Sequence, residues 1–385
     1  MVYVSMVGDF DSNILPLFYH YVEEMRVHVL LFDKRHSDKQ HANSLAKGLE
    51  NFCHYYDYAP EFVEISFDED NIDSIRNAYS KVKSLAQADE AIYLNASDGL
   101  ASTLAVMQPM LHQDGGTLLA YDRFENTCNT LSGESMKQEV VSPMTIHEHL
   151  ILKNIDYEFI DEDEEMHRRK RSVFSLMENT ATYIEFREAI KNITPRHNLY
   201  WMYDELEHIG KARDKQFTDG GILEEYCYWL VKDLGFDDVK LGTKITHNPE
   251  TDDAFKNELD VLMIKDNHMH TIECKLSKFL NGEQFIYKYD SVGNLLDADG
   301  KRMIVSVGGP NMKYDKYRKP KYQFNTGNIK RATQAKIVIY QEEKMNPEQF
   351  RAAVRNFFLG EELSEQATSD NQSLLQKLSS VFKVS

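Results

Sequence analysis

The sequence lacks several features that would assign the protein to familiar classes. Its 385 residues include four cysteines, scattered singly with no C-x-x-C pair: Cys53, Cys128, Cys227 and Cys274. This spacing fits reduced packing residues better than disulfides or a zinc site. No apolar run approaches the length of a membrane span, and Met1 to Val7 enters a strand without a basic region. We therefore expect a cytoplasmic protein with no signal peptide, membrane contact or cysteine chemistry.

A net positive charge is also lacking, since 62 acidic residues outnumber 44 basic ones and the formal net charge is −18. Binding to nucleic acid by bulk attraction needs the opposite sign, so any nucleic-acid site must be local. The segment 311–324 interleaves basic residues with tyrosines, which would supply cations for a phosphate backbone and rings for base stacking. The alternative is a solvated loop. The candidate contacts are Lys313, Lys316, Arg318 and Lys319.

Length and composition predict two domains, because 385 residues exceed one ordinary domain and 42% hydrophobic content supplies two cores. In the first 150 residues, five strand-like runs alternate with four helical stretches, which predicts a doubly wound parallel sheet. The first and fourth strands should be neighbours, with a ligand bound on the loops that follow them. The candidate ligand-binding residues are Asp11, Ser12, Asn13, Asn95, Ser97, Asp98, Gly99 and Ser102.

The glycine fingerprint of an NAD-binding domain is missing from this unit. Gly8 stands alone before an acidic segment, although Asp33 ends the second strand where a ribose-binding acid would lie. The serines and asparagines of the two loops suit ribose hydroxyls and adenine edges. An NAD-dependent oxidoreductase is therefore the alternative for the domain, and a different nucleotide ligand is preferred.

Two apolar runs, 257–264 and 269–275, flank a polar turn at 265–268 and predict an antiparallel hairpin. With the turn centred in that segment, Asp260 lies opposite Glu273. Like charges in directly opposed positions are unfavourable. A divalent cation between the two carboxylates would remove the repulsion.

Alternation along the second strand places Lys275 on the same face as Glu273. Carboxylate ligands suit Mg²⁺ or Mn²⁺, which lower the pKa of a bound water and contact phosphate. The lysine would orient that water or neutralise charge in the transition state. The ordinary alternative is a surface ion pair, but the flanking apolar residues indicate that these charges are buried.

A third acid comes from the helix predicted after a turn at Gly220-Gly221. Glu224 shares a stripe with the apolar Cys227 and is chosen as the inward acid, a metal ligand directly or through water. Glu225 remains the alternative. Either glutamate could instead stabilise the helix through its dipole.

The order of these residues resembles the PD-(D/E)xK nuclease fold: Gly220 to Glu224, then Asp260, then Glu273-Cys274-Lys275. Leu259 stands where the proline of that name would be. The fold has a helix after its third strand, and the segment 282–289 supplies a candidate with Lys288 near the site.

A Rossmann-like domain followed by such a nuclease resembles the CRISPR-associated effector nucleases that carry a CARF sensor domain. The segment 95–102 is similar to the CARF pattern after the fourth strand, but Asp98 replaces a small residue and 101–103 contains no lysine. The resemblance implies a homodimer that cyclic tetra-adenylate, or another cyclic oligoadenylate, activates to cleave single-stranded RNA or DNA and to nick duplex DNA.

The predicted organisation follows from these two resemblances. Residues 1–150 form the CARF-like domain, 151–205 a helical linker, 206–345 the nuclease domain and 346–385 a helical extension. The predicted function is a metal-dependent endonuclease of type III CRISPR defence. The alternative is a non-catalytic, nucleotide-sensing regulator that only binds nucleic acid.

Overall fold

The structure is a computed structural model that describes residues 1–8, 13–34, 39–98, 101–132, 135–247, 255–276, 282–307, 324, 326–342 and 344–361. Packing divides the chain into two compact units. The first comprises residues 1–157, 245–256 and 264–268, and the second comprises 158–244, 257–263 and the residues from 269 onwards. Each unit is built on its own mixed sheet. The predicted α/β class is confirmed.

The sheet of the first unit has the strand order β3-β2-β1-β4-β5-β6-β7. Its first five strands are parallel, and β6 and β7 are added antiparallel. The bounds are β1 (Val2–Met6), β2 (Val27–Asp33), β3 (Glu61–Phe67), β4 (Ile92–Asn95), β5 (Thr117–Asp122), β6 (Thr127–Ser132) and β7 (Ser135–Val140). Strand β1 is buried along its whole length, as expected where helices cover both faces of a parallel sheet. The predicted neighbours, β1 and β4, pair directly.

The helices of the first unit begin at residues suited to that position. The Asn71 side chain accepts hydrogen bonds from the amides of Asp73 and Ser74, and Thr145 forms a capping box with Glu148. The bounds are α1 (Leu15–Tyr21), α2 (Lys39–Tyr55), α3 (Ile72–Leu85), α4 (Ala101–Gln113) and α5 (Ile146–Leu152).

The sheet of the second unit has the order β13-β12-β11-β10-β9-β8. Its bounds are β8 (Ile155–Ile160), β9 (Asp238–His247), β10 (Phe255–Lys265), β11 (His268–Leu276), β12 (Arg302–Val307) and β13 (Ile337–Glu342). Asp266 and Asn267 have φ of 50° and 64°, as a two-residue hairpin turn requires. The predicted hairpin is therefore present as β10 and β11.

Seven helices of the second unit are described: α6 (Glu164–Met177), α7 (Thr180–Ala189), α8 (Tyr200–His208), α9 (Ile222–Lys232), α10 (Gly282–Leu296), α11 (Thr326–Gln334) and α12 (Pro347–Val354). Helix α9 is buried on nearly every side within the main core of the unit. Helix α12 begins after an Asn346 cap and continues as a π-helical turn that ends at Gly360. No helix in the described part of the chain is long and apolar enough to cross a membrane.

The predicted helical linker is wrong over part of its length. Residues 155–160 form β8, the edge strand of the second sheet, rather than a helix. The sequence does alternate there, since Ile155, Tyr157 and Phe159 are more buried than the residues between them. An edge strand with one exposed face shows only this weak period-two pattern, which the charged helix after it obscures.

Candidate active site

The start of α9 differs from the predicted Gly-Gly turn. Gly220 and Gly221 lie inside a π-helical turn, Phe217–Gly221, that runs directly into the helix. A Cβ at position 220 would lie 3.4 Å from Oε1 of Glu224, an ordinary van der Waals contact, so position 220 adjoins the glutamate side chain. Single π-helical turns within longer helices are frequent at functional sites.

The β10–β11 hairpin brings together the acids and the lysine predicted for the nuclease centre. Its two-residue turn places Lys265 opposite His268, and counting back along both strands places Asp260 opposite Glu273. The Lys275 Nζ donates a hydrogen bond of 2.6 Å to Glu273 Oε1 and lies 3.7 Å from Asp260 Oδ2. The same Asp260 oxygen accepts a 2.6 Å hydrogen bond from the Cys274 amide. One ammonium group thus serves both carboxylates.

Burial and mutual repulsion shape the protonation of this site. Burial raises the pKa of Asp260, and the carboxylates of Glu273 and Glu224 add to the effect. Burial raises the pKa of Glu224 to about 7, partly offset by Lys275. Burial lowers the pKa of Lys275, but the nearby carboxylates of Asp260 and Glu273 raise it by more. The ammonium group therefore stays charged. The site therefore holds more carboxyl groups than its single cation neutralises.

The structure decides between the two consecutive glutamates of α9. Glu225 is 2% exposed and accepts hydrogen bonds of 2.9 and 3.1 Å from Arg169 Nε, with Trp229 Nε1 at 3.5 Å. It is thus engaged away from the hairpin acids. Glu224 is the residue whose charge interacts with Glu273, Asp260 and Lys275. Glu224 is therefore the third acid of the cluster.

The carboxyl oxygens of this cluster are the type of ligand that suits a hard divalent cation. Three carboxyl groups supply the oxygen ligands that Mg²⁺ and Mn²⁺ prefer. Burial is the main cause of their raised pKa values, nearby carboxylates add to it, and a bound cation would favour the charged form. In the described part of the chain, no group of three or more His, Cys, Asp or Glu side chains is already arranged to hold a metal ion. The Lys275 ammonium lies between the hairpin carboxylates instead, so a cation there would compete with it.

Sequence reasoning missed two side chains that shape this centre. The ring centroid of Phe285, on α10, lies 5.1 Å from Lys275 Nζ in a cation–π contact. Arg187 donates a 2.6 Å hydrogen bond to the Asp219 carboxylate, before α9, and a 3.2 Å hydrogen bond to the carbonyl of Leu276, the residue after Lys275. Its partners are distant in sequence, and no local pattern indicates them. The predicted Lys288 is exposed on α10 and lowers the pKa of Glu273 against the effect of burial.

In the first unit, the ends of β1 and β4 meet closely. A Cβ at Gly8 would lie 2.4 Å from the carbonyl oxygen of Asp98 and 2.6 Å from its Oδ2, so only glycine fits at this approach. Asn95 is 1% exposed, and its Oδ1 accepts hydrogen bonds from the amide and the hydroxyl of Ser97, at 3.0 and 2.5 Å. Asn95 therefore shapes the loop from below rather than facing solvent.

The remaining predicted residues divide into two groups. Asn13 is half-buried, and Ser102 is exposed at the start of α4. Several predicted residues lie outside the described part of the chain: Asp11, Ser12, Gly99, Lys313, Lys316, Arg318 and Lys319.

Two acids and a lysine on a hairpin, joined by an acid from the preceding helix, offer the groups that could hold a divalent cation beside a phosphodiester. Comparison with protein families indicates the same chemistry, since residues 211–320 match the family described as Card1-like, endonuclease domain. The segment that carries the hairpin and α9 is thus similar to a Card1-like endonuclease domain. A search of curated protein sequences finds no match.

Solved structures with the same fold span most of the chain. Protein VC1899 from Vibrio cholerae superposes with a TM-score of 0.70 at 16% identity, covering 91% of this chain and 95% of its own. Can2 from Sulfobacillus thermosulfidooxidans, solved in complex with cyclic tetra-adenylate, gives a TM-score of 0.64 at 16% identity. The superposition covers 92% of this chain and 98% of Can2. A type III CRISPR defence DNA nuclease activated by cyclic oligoadenylate gives a lower TM-score of 0.47 at 13% identity, covering 87% of this chain and 52% of its own. The two-domain fold inferred from the sequence is confirmed.

Proposed function

We propose that this protein is a cytoplasmic, homodimeric, metal-dependent nuclease of type III CRISPR defence that cyclic tetra-adenylate activates. The observation that carries the proposal is the largely buried cluster of Asp260, Glu273 and Lys275, with Glu224 beside it. The cluster lies inside the segment matched to an endonuclease family. The activator is proposed because 92% of the chain shares its fold with Can2, which was solved in complex with that molecule.

In this mechanism Asp260 and Glu273, with Glu224 directly or through water, would hold Mn²⁺ or Mg²⁺. The bound cation would supply a water of lowered pKa and would polarise a phosphate oxygen. Lys275 remains an ammonium group across neutral pH and neutralises the charge that develops on the phosphate in the transition state. Its contact with the Phe285 ring restricts where that charge lies. Burial disfavours the charged form of these carboxyl groups, and a cation held between them would favour it.

Activator binding is proposed at the ends of β1 and β4. Asn13, Ser97 and Ser102, with Asp98, offer hydroxyl, amide and carboxylate groups to ribose and adenine rather than cations to phosphate. The substrates we propose are single-stranded RNA or DNA, and duplex DNA that is nicked. Lys288 and the segment 311–324 would contact their phosphates and bases.

The alternative is a regulator that binds nucleic acid without cleaving it. A regulator has no need for three buried or half-buried carboxyl groups around one lysine, because charges removed from water cost stability unless each is paired. The intact acid and lysine set therefore favours the enzyme.

The test is cleavage of labelled single-stranded RNA, single-stranded DNA and supercoiled plasmid with Mn²⁺ or Mg²⁺, with and without cyclic tetra-adenylate. Lys275→Ala is measured beside the unchanged protein. Activator-dependent cleavage that the variant loses supports both parts of the proposal. If the protein binds nucleic acid but never cuts it, the regulator is favoured. If cleavage is the same with and without the activator, the proposed sensor role of the first unit is wrong.

A further inference from the structure

We propose that a chain of hydrogen bonds through Ser97, Tyr121, Asn126 and Asn267 connects the activator loop to the turn of the β10–β11 hairpin. These four residues are called the relay below, and all lie in the first compact unit. Its two ends are the loop after β4 and the turn between the strands that carry Asp260 and Glu273. The regulatory role of the relay rests on the proposed function.

The relay ends at Asn267, in the hairpin turn. The residue is 3% exposed, and its Nδ2 donates to Asn126 Oδ1 at 2.9 Å and to the Ser142 carbonyl at 3.1 Å. Its Oδ1 accepts a 2.7 Å hydrogen bond from the Met144 amide. Both amide hydrogens are thus used. A buried amide with this many partners fixes the turn, because breaking the network leaves unpaired polar groups.

The middle of the relay is formed by Asn126 and Tyr121. Asn126 is 4% exposed, has φ of 48°, and donates from Nδ2 to the Val141 carbonyl at 3.1 Å. Its Oδ1 accepts from Asn267 and also from the hydroxyl of Tyr121, at 2.9 Å. One carbonyl oxygen therefore joins the hairpin turn to β5.

The relay begins at the loop after β4. The amide of Tyr121 donates to Ser97 Oγ at 2.8 Å, and the Ser97 hydroxyl donates to Asn95 Oδ1 at 2.5 Å. Ser97 thus fixes β5 to the loop that we propose contacts the activator. The Ser97 hydroxyl has a single proton, so a ligand group that accepts it must replace Asn95 as its partner. That change alters the end of the relay.

At the other end of the relay, the chain itself connects Asn267 to the acids, because the turn joins the two strands that carry them. Asp260 and Glu273 lie seven and six residues from Asn267 along the two strands, roughly 20 Å at the rise of a β-strand. The two strands are hydrogen-bonded neighbours, so a shift or twist at the turn acts on both acids together. The 2.6 and 3.7 Å distances from Lys275 to the two carboxylates depend on this register.

The proposal differs from a simple structural clamp, which would hold the turn without responding to the loop. Spatial connection alone does not establish coupling, and the decisive quantity is a change at one end caused by a change at the other. Tyr121→Phe removes the hydroxyl bond to Asn126 and leaves the backbone bond to Ser97 intact. Asn267→Asp keeps a residue type that tolerates positive φ but replaces the donor facing Asn126 with an acceptor.

The experiment measures, in the full-length protein, cyclic tetra-adenylate affinity by calorimetry and cleavage of labelled single-stranded RNA and DNA with Mn²⁺, with and without the activator. Matched controls are Tyr79→Phe, which deletes a tyrosine hydroxyl bonded to Asp114 in the same unit, and Asp266→Asn in the same turn. For Tyr121→Phe and Asn267→Asp, the ratio of activated to basal rate should fall at least about fivefold at unchanged affinity. A ratio equal to that of the controls would overturn the regulatory role.

Hydrogen exchange without activator tests the relay independently of the proposed function. Ser97→Ala and Tyr121→Phe should speed exchange of the amides at 264–268 at least about fivefold, whereas Tyr79→Phe should not. If exchange is faster in the variants but the protein does not respond to cyclic tetra-adenylate, the relay is supported and the proposed activator is wrong. Unchanged exchange in both variants would show that the loop and the hairpin turn are not coupled.

Discussion

Glu224 and Glu225 are consecutive residues of α9, but their carboxyl groups have different partners. Glu225 accepts two hydrogen bonds from Arg169, whereas Glu224 interacts electrostatically with Glu273, Glu258 and Lys275. Consecutive helical positions are about 100° apart around the axis, so one residue faces α6 while the other faces the hairpin acids. The same chemical change at these two positions should therefore have different effects.

We predict that Glu224→Gln lowers the cleavage rate at least about tenfold with little loss of stability, since a buried carboxyl of raised pKa is replaced by a neutral isostere. Glu225→Gln should lower the free energy of unfolding by about 3 kcal/mol, because it leaves the Arg169 cation without its buried partner. Denaturant unfolding and single-turnover cleavage of both variants measure the contrast. Equal stability losses would contradict the assignment.

Asp260→Asn should reduce activated cleavage at least about 100-fold while leaving cyclic tetra-adenylate affinity unchanged. The carboxylate is a proposed metal ligand. It also accepts a hydrogen bond from the Cys274 amide, and an asparagine side-chain oxygen can still accept that bond. Glu273→Gln should behave in the same way. Asp266→Asn is the control, since it makes the same change in the exposed turn of the hairpin. Near-normal turnover in Asp260→Asn would refute the metal assignment.

Lys275→Met should separate catalysis from metal binding. It removes the ammonium that lies 2.6 Å from Glu273 and 3.7 Å from Asp260 while keeping a long side chain against Phe285. We expect the rate to fall about 100-fold, because the charge that stabilises the transition state is lost. Mn²⁺ affinity measured by calorimetry should rise or stay equal, since the competing cation is gone. Much weaker Mn²⁺ binding would mean that the lysine helps to build the metal site.

The raised pKa of Glu224 predicts a pH-dependent stability of the metal-free protein. Its pKa is about 7 in the folded state against an ordinary value of 4.5, so the folded protein holds a proton that the unfolded chain releases between those values. Stability from this group is present below about pH 4.5 and is lost as pH rises to about 7, by on the order of 3 kcal/mol. Thermal unfolding in EDTA should show this slope, and Glu224→Gln should reduce it.

Gly8→Ala should weaken cyclic tetra-adenylate binding at least about tenfold, since its methyl group would meet the Asp98 backbone at 2.4 Å and move the loop after β4. Gly210→Ala is a steric control, because nothing lies within 4 Å of a Cβ there, although φ is positive. Fluorescence anisotropy with labelled activator measures both. Unchanged affinity in Gly8→Ala would place the ligand elsewhere.

Local patterns predicted the elements that carry the site. The apolar runs around a polar turn predicted β10 and β11, and strand alternation placed Glu273 and Lys275 on one face, which the 2.6 Å hydrogen bond confirms. These features are readable because a hairpin turn fixes register within a few residues. The edge strand β8 was missed, since its partner β9 lies far along the chain and its own pattern is weak.

The sequence by itself determined the two α/β units, the pairing of β1 with β4 and the hairpin with its acids and lysine, because these depend on short-range periodicity and turn chemistry. Only the tertiary structure decided that Glu224 and not Glu225 joins the acids, that Arg187 ties Asp219 to Leu276, and that Asn267 is held by Asn126. Such contacts join residues 32 to 141 positions apart. Packing sets them, and no local pattern encodes which distant group a buried polar side chain will meet.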